Sequence, residues 1–220
     1  MVPVQPQSSS APDSGPTLRP CGDLGVIAEL PDADLRRALD ARLREDPLPG
    51  TIEHVPAART VLVRFESAAA LSAGMQSLRE LRLEPGGQEQ SHGGAPTTIA
   101  VRYDGPDLAD VADLLSISVD EVIARHTCQT WTVEFAGFMP GFGYLTGDAG
   151  NLEVPRRENP RKRLAAGSVA LAGPYTSVYP QASPGGWQLI GSTDEVMFDA
   201  ERTPPALLAP GNRIRFEAIR

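Results

Sequence analysis

The chain has 220 residues, of which 41% are hydrophobic and 22% are charged, and its formal net charge is −8 at pH 7. This length and composition are typical of a globular protein with one large domain or two small ones. The negative charge argues against an extended nucleic-acid surface, which needs clustered Lys and Arg. Lys162 is the only lysine, and its basic setting excludes a biotin or lipoyl carrier arm.

The cysteines and the N-terminal residues indicate a compartment. Cys21 and Cys128 are too few for a disulfide framework, so a reducing, cytoplasmic location is expected. The sequence contains no run of about 18 apolar residues, so no membrane span is predicted. Residues 1–16 lack the features of a secretory signal, and their Pro, Ser and Gln content is typical of a disordered tail.

The first half of the chain alternates strand and helix patterns. The predicted elements are a strand over residues 23–30, a helix over 32–46, strands over 51–55 and 60–65, and a helix over about 68–82. Asp32 and Ser67 are the expected N-caps of the two helices. The β-α-β-β-α order predicts a small α+β domain of split-βαβ type over residues 17–83.

A change of composition separates this half from the next. Residues 84–96 contain four Gly, two Pro and no large apolar residue, so we interpret them as a linker between domains. The strings that follow predict a strand over residues 98–103, a short helix starting at Gly105-Pro106-Asp107, a helix opened by a Ser118/Glu121 capping box, a strand over 131–136, and short strands over 168–172, 177–179, 187–190 and 213–217. Several short strands predict a mainly-β barrel or sandwich over residues 97–220.

Glycines and aromatic residues concentrate in the second domain. Residues 137–191 hold ten of the 21 glycines, and eight of the 12 aromatic residues lie between Trp131 and Trp187. This composition fits a concave site with rigid apolar walls. It fits equally well a set of tight barrel corners filled by aromatic plugs, and composition alone leaves both alternatives open.

Local strings supply the candidate polar groups. Ser183 to Trp187 offers a hydroxyl and closely spaced amides, a candidate anion nest. The run from Pro155 to Arg163 is strongly basic, and Arg suits planar carboxylates and phosphates, although a solvated loop is the alternative. His126 is the best of the three histidines for general acid–base chemistry. The sequence has no P-loop, no G-x-S-x-G elbow and no Cys/His spacing for zinc.

These strings carry a family resemblance. Arg125-His126, the Gly137–Tyr144 string, Pro155-Arg156 with Pro160-Arg161, the Ala166–Val169 string and the Ser183–Thr193 string resemble the B-type subunit of bacterial ATP-dependent 5-oxoprolinase. The family is also described as allophanate hydrolase subunit 1 or as the C-type subunit of a carboxyltransferase domain, and it includes an inhibitor of a sporulation histidine kinase. The resemblance covers nearly the whole chain after residue 17.

The resemblance implies a fold, partners and a reaction. It implies a small N-terminal α+β domain and a C-terminal cyclophilin-like β-barrel. The partners would be a homologous barrel subunit, of the C type in 5-oxoprolinase or of the allophanate hydrolase subunit 2 type, and a third 5-oxoprolinase subunit. The complex opens 5-oxo-L-proline to L-glutamate with ATP as co-substrate, and we expect this chain to be inactive alone. No metal site is expected.

The resemblance also suggests site residues. His126 is expected to transfer protons or orient the substrate. The expected substrate-binding residues are Phe138, Pro140, Gly141, Phe142, Tyr144, Arg156, Arg161, Ser168, Tyr175, Tyr179, Ser183, Gly185, Gly186 and Trp187. Tyr175 departs from the family pattern, which commonly has Gln there, and this departure bears on substrate identity.

Two other functions stay open from the sequence. One is a regulatory or binding module similar to the histidine kinase inhibitor. The other is a urea- or allophanate-linked subunit of carboxyltransferase type. True allophanate hydrolysis uses a Ser-Ser-Lys amidase site, which a chain with one lysine and no Gly-Gly-Ser-Ser string cannot supply.

Overall fold

The structure is a computed structural model that describes residues 15–84 and 95–220. Most of the predicted tail (1–16) and of the predicted linker (84–96), including His92, therefore lies outside the described residues. The chain divides into two units, Met1–Gln88 and Glu89–Arg220. The bounds of the predicted tail, linker and domains stay predictions.

The first unit is a four-stranded antiparallel sheet with two helices. Its elements are β1 (Thr17–Cys21), β2 (Gly25–Glu29), α1 (Ala33–Glu45), β3 (Thr51–Pro56), β4 (Thr60–Phe65) and α2 (Ala68–Glu80). The strand order is β1-β2-β4-β3, so β2 and β3 run parallel with β4 between them. That arrangement is the predicted split βαβ. Strand β1 was not predicted, because its residues are mostly exposed and lack an apolar alternation.

Helix capping and apolar spacing explain why α1 and α2 form where they do. The backbone N–H of Leu35 donates to Asp32 Oδ1 at 2.9 Å, and that of Ala70 donates to Ser67 Oγ at 3.1 Å, so both predicted caps are confirmed. The spacing of Leu35, Leu39 and Leu43 places them on one face of α1, where they pack against the sheet in one buried core.

The second unit is a closed β-barrel with two helices that contribute side chains to its core. Its elements are β5 (Thr97–Arg102), α3 (Leu108–Leu115), α4 (Val119–Cys128), β6 (Trp131–Ala136), β7 (Gly143–Gly147), β8 (Arg161–Leu164), β9 (Ser168–Ala172), β10 (Tyr175–Val178), β11 (Ser183–Gly185), β12 (Gln188–Ser192) and β13 (Arg213–Ile219). Seven strands close in the order β10-β7-β6-β13-β5-β12-β9 within the described residues, and β8 pairs with β11 in a separate sheet. The predicted fold class, a small α+β unit followed by a barrel, is confirmed.

The barrel interior is filled by apolar side chains from all seven barrel strands and from both helices. Val111 of α3 and Val122 of α4 are fully buried in it. Ser118 caps α4 as predicted, accepting the Glu121 amide at 3.1 Å. The reciprocal half of the predicted capping box is wrong, because the Glu121 carboxylate accepts from Arg125 Nε at 2.8 Å instead.

Candidate functional site

The barrel wall has an apolar layer on each face. Successive residues of a strand point to opposite faces of a sheet. In β9, Val169 and Leu171 belong to the inner core, whereas Ala170 and Ala172 pack on the outer side. Seven rings gather on this outer side: Phe135, Phe138, Phe142, Tyr144, Tyr175, Tyr179 and Trp187. We call this set the outer aromatic cluster.

Phe142 is the central ring of the outer aromatic cluster. It is 1% exposed and meets Phe138, Tyr144, Tyr179 and Trp187 in T-shaped contacts, with centroid distances of 5.3, 5.1, 5.2 and 5.4 Å. These rings pack against one another and do not wall an open space. The arrangement is that of aromatic plugs, the second alternative left open by the composition.

A β-bulge brings Phe135 into the cluster, where it contacts Tyr175 of β10. The register between β6 and β7 shifts between Val133 and Phe135. Val133 points into the inner core, and the extra residue turns Phe135 outward instead, where it stacks on Tyr144 at 4.4 Å. Tyr175, at the position where the family commonly has Gln, makes a T-shaped contact with Phe135 at 5.7 Å. Tyr175 is therefore a packing residue of the cluster.

Phe138 is the exposed member of the cluster. It is 60% exposed and has a φ of 66°, a left-handed conformation that is rare for a bulky residue. A tight turn holds it there, since the Met139 amide donates to the Gly137 carbonyl at 2.7 Å and the Phe142 amide to the Met139 carbonyl at 3.0 Å. Pro140 is exposed in the same turn. Gly141, with φ of 82°, completes it, and a Cβ there would lie 2.6 Å from the Cβ of Phe198.

Two of the four arginines in the basic run, Arg157 and Arg161, are neutralised by a carboxylate, whereas Arg156 and Arg163 are not. Arg161 donates twice to Asp107, from Nη1 and Nη2, each at 2.7 Å, and Arg157 Nη1 also donates to Asp107. Arg156 forms no ion pair with any described carboxylate and lies 6.0 Å above the Trp187 ring. The structure therefore leaves Arg156 open to a ligand anion. The Arg161 guanidinium is already bound by an internal carboxylate, so the expectation that it binds an anion stays a prediction that this pairing disfavours.

An open cleft of about 390 Å³ adjoins Arg156. Such a volume suits a small molecule. Two buried polar atoms at its edge, Arg157 Nε and Gln188 Oε1, lack a hydrogen-bond partner among the described residues, although buried polar groups are normally paired. The cleft is lined by Asp110, Leu114, Pro155, Arg156, Arg157, Glu158, Asn159 and Gln188.

The phenols near Arg156 stay protonated at neutral pH. Burial raises the pKa of Tyr144, with Arg156 opposing the shift. Burial also raises the pKa of Tyr179 to about 12, against the Trp187 backbone amide and the charge of Arg156. Both hydroxyls are therefore neutral. Tyr179 is 2% exposed, so its hydroxyl serves the packing of the cluster.

The Ser183 to Trp187 string, the candidate anion nest, contributes strand β11 to the two-stranded sheet, and anion binding by it stays a prediction. Residues Ser183–Gly185 are an extended strand paired with β8, and the Gly186 carbonyl accepts the Arg157 amide at 2.8 Å. Gly185 is required for packing, since a Cβ there would lie 2.5 Å from the Tyr179 hydroxyl. Ser183 Oγ is buried without a partner among the described residues. Ser168 Oγ is occupied, donating to the Ala165 carbonyl at 2.8 Å.

His126 lies in the inner core, away from the cleft lining. It is fully buried, stacks on Phe216 at 4.3 Å, and approaches Tyr103 with Nδ1 at 2.7 Å and Thr176 with Nε2 at 2.9 Å. Thr176 Oγ1 donates to the Ala170 carbonyl, so the His126 Nε2–H donates to Thr176 and the Tyr103 hydroxyl donates to Nδ1. Burial lowers the pKa of His126 to about 3. Neither nitrogen is accessible, and the expected role of His126 in proton transfer or substrate orientation stays a prediction that this burial disfavours.

Asp107 and Gln188 are residues that sequence reasoning missed. Asp107 appeared only as the start of a helix, and Gln188 as part of a short strand. Asp107 does precede α3, but its side chain makes no capping bond. One signal could have identified it: a basic run with three arginines in six positions, 156 to 161, needs a carboxylate if it is to pack against a barrel.

Within the described ranges, no three His, Cys, Asp or Glu side chains lie close enough together to hold a metal ion. None of the helices in the same ranges has the length and apolar character needed to span a bilayer.

Comparison with known proteins shows the family to which the chain belongs. Residues 16–208 match the family model described as carboxyltransferase domain, subdomain C and D. The chain is similar to the B-type 5-oxoprolinase subunit of Bacillus subtilis (strain 168), with 36% identity over 195 residues that cover 83% of this chain and 81% of that protein.

Solved structures share the fold. The crystal structure of TTHA0988 matches with a TM-score of 0.71 and 33% identity, over 93% of this chain and 40% of that one, so the chain spans about 40% of its length. The Kluyveromyces lactis urea carboxylase matches all of this chain and 23% of its own, with a TM-score of 0.71 and 19% identity, which shows a common fold alone.

Proposed function

Because the chain belongs to the family of B-type 5-oxoprolinase subunits, we propose that it is the corresponding subunit of an ATP-dependent complex that opens 5-oxo-L-proline to L-glutamate. The proposed partners are a homologous barrel subunit of the C type and a third subunit. ATP is the co-substrate, bound in the complex. A reducing, cytoplasmic setting belongs to the same proposal, since Cys21 and Cys128 are both free thiols.

The single observation that carries the proposal is the unpaired charge of Arg156 beside the cleft. 5-Oxoproline presents a carboxylate and a lactam amide. Arg156 suits the carboxylate, because a guanidinium binds planar anions through two parallel hydrogen bonds. Arg156 would thus fix the substrate's orientation.

The chemistry explains why a complex is needed. A lactam resists hydrolysis because its amide is resonance-stabilised, and ATP supplies the activation of its carbonyl oxygen. Proton transfer then needs a group close to neutral pKa. His126 is buried with a pKa of about 3, and the cleft lining contains no histidine or cysteine among the described residues. A partner subunit would supply this group, which supports the expectation that the chain alone is inactive.

The test is reconstitution. The chain is co-expressed with both candidate partner subunits, and ADP release is measured with and without 5-oxoproline. We expect 5-oxoproline-dependent release from the complete complex and none from any subunit alone. Copurified complexes that lack one subunit are the matched controls. A complete complex without 5-oxoproline-dependent turnover would overturn the proposal.

The regulatory module and the urea- or allophanate-linked subunit stay predictions. No described contact or charge favours a histidine kinase as a ligand. The likeness to urea carboxylase concerns the fold, and this chain lacks the Ser-Ser-Lys amidase residues. Both alternatives would gain weight only if the reconstituted complex left 5-oxoproline unchanged.

A further inference from the structure

Asp107 is a buried carboxylate that joins three parts of the barrel unit. Its side chain is 1% exposed. It receives hydrogen bonds from Arg157, from both terminal nitrogens of Arg161, and from the Leu189 backbone amide at 2.7 Å. Burial would raise the pKa of Asp107, but the Arg161 and Leu189 hydrogen bonds and the charges of both arginines hold it below its usual value. The carboxylate is therefore charged and fully engaged.

These bonds fix the segment that carries Arg156. The Arg157 amide donates to the Gly186 carbonyl at 2.8 Å, and Gln188 Nε2 donates to the Pro155 carbonyl at 3.2 Å. Arg156 thus lies between two residues tied to the end of β11 and the start of β12. Asp107 holds the same segment through the Arg157 and Arg161 side chains. Leu189, whose amide also binds Asp107, is two residues beyond Trp187, the ring under Arg156.

The pairing of Asp107 also determines which arginine at the cleft can bind a ligand anion. Arg156, Arg157 and Arg161 stand within six residues, and their like charges repel one another. The carboxylate pairs with Arg157 and Arg161 and leaves Arg156 as the guanidinium at the cleft without a described ion pair. Without it, Arg157, which also lines the cleft, would be a second unpaired cation there, and the segment would lose the bonds that hold it.

From these contacts we infer that Asp107 is a positioning residue for the substrate site: it acts through Arg157 and Arg161 to hold Arg156 in the place where it binds the substrate carboxylate. The inference rests on the proposed function for the identity of the substrate. We call the bonds from Arg157, Arg161 and Leu189 to Asp107 the clamp. The existence of the clamp does not depend on the proposed function, because it is a property of residues 155–161 and of the start of β12.

The experiment uses the complete complex with wild-type chain, Asp107→Asn, Arg156→Gln and the double variant. Asp107→Asn keeps the side-chain volume and removes the charge. We expect KM for 5-oxoproline to rise at least about tenfold in each single variant, with a smaller change in kcat. If Asp107 acts through Arg156, its substitution adds little in the Arg156→Gln background. Independent, multiplicative effects on KM would overturn the inference.

A second measurement separates the clamp from the reaction. Hydrogen–deuterium exchange of the full-length chain should show faster exchange over residues 155–164 and at Leu189 in Asp107→Asn. Unchanged exchange there would also overturn the inference. If the wild-type complex turns over no 5-oxoproline, the proposed function fails and the exchange result still decides the clamp.

Two further variants serve as a substitute for Asp107→Asn and as a control. Should Asp107→Asn fail to fold, Arg161→Gln removes two of the bonds from the other side and is expected to raise KM and exchange in the same way, and wild-type values would again contradict the clamp. Arg163→Gln is the matched control, since Arg163 is exposed on the same strand and makes no described bond to Asp107. It should alter neither measurement.

Discussion

The two faces of the barrel wall differ in whether their polar groups have partners. On the inner face, His126 is neutral and both its nitrogens are bonded, to Tyr103 and Thr176. On the outer side, Arg156 is charged and lacks a described carboxylate partner, and Phe138 is exposed in a left-handed conformation. Satisfied polar groups stabilise a core, whereas unsatisfied or strained groups are retained where a ligand or partner uses them. The difference leads us to expect that the polar groups of the inner face contribute to stability, and that Arg156 and Phe138 on the outer side contribute to the proposed binding.

His126→Ala is the largest perturbation of the inner face. It leaves a cavity against Phe216 and removes the partners of Tyr103 and Thr176. We expect the free energy of unfolding to fall by about 3–5 kcal/mol, as for other large-to-small core substitutions. Urea unfolding followed by tryptophan fluorescence measures it, because both tryptophans, Trp131 and Trp187, lie in the barrel unit.

His126→Gln is the control for this prediction and should cost less, because the amide retains a donor and an acceptor. The result also decides the role that the sequence suggested. A well-folded His126→Ala chain that assembles and has lost all turnover would restore His126 as a catalytic group and would break the division between the two faces.

Two phenylalanines four residues apart test the outer side. Phe142 is 1% exposed and central to the outer aromatic cluster, whereas Phe138 is 60% exposed. We expect Phe142→Ala to lower the free energy of unfolding by about 3 kcal/mol, and Phe138→Ala by less than about 1 kcal/mol, since exposed side chains contribute little. The same fluorescence measurement compares them. Equal losses would mean that Phe138 is a structural residue of the cluster and is not held exposed for binding.

Local features of the fold were predictable from the sequence and long-range ones were not. The caps at Asp32, Ser67 and Ser118 and the leucine spacing of α1 are encoded within four residues or one helix face, and the structure confirms them. The bond between Asp107 and Arg161 joins positions 54 residues apart. No pattern local to either residue indicates that pairing.

The lack of long-range information in the sequence also explains why the arrangement of the site residues was not predicted. The sequence identified the string that contains Phe142 and the segment that contains Arg156. It could not show that Phe142 packs inside the cluster, because aromatic walls and aromatic plugs have the same composition. The inward direction of His126 depends on how α4 meets Thr176 of β10, a tertiary contact 50 residues away.

The burial of His126 on the inner face predicts that the free energy of unfolding depends on pH. The pKa of His126 is about 3 in the folded chain because of burial, and about 6.5 when unfolded. Above pH 6.5 both forms are neutral and the contribution is fully present. Below it the unfolded chain takes up a proton that the folded chain refuses, so the free energy of unfolding should fall by about 1.4 kcal/mol per pH unit toward pH 3.

The difference between wild type and His126→Gln isolates this effect from the titration of other groups in the chain. Urea midpoints measured from pH 8 to pH 4 should converge as the pH falls, since only the wild-type chain carries the His126 slope. Parallel plots of midpoint against pH for the two chains would show that His126 is protonated in the folded barrel, so that the inner face accommodates a charged group.

Arg156→Gln should have the smallest effect on stability and, among the outer-side changes, the clearest effect on function. Arg156 is exposed and has no described ion pair, and its contact with Trp187 is a solvent-exposed cation–π contact. We expect the free energy of unfolding to change by less than about 0.5 kcal/mol, while KM for 5-oxoproline in the complete complex rises at least about tenfold because the carboxylate loses its guanidinium. Arg156→Lys keeps the charge and loses the planar fork, so it should recover only part of the affinity. A stable Arg156→Gln chain with unchanged KM would leave the substrate carboxylate to a partner subunit, and the unpaired charge on the outer side would then have to be explained by subunit assembly.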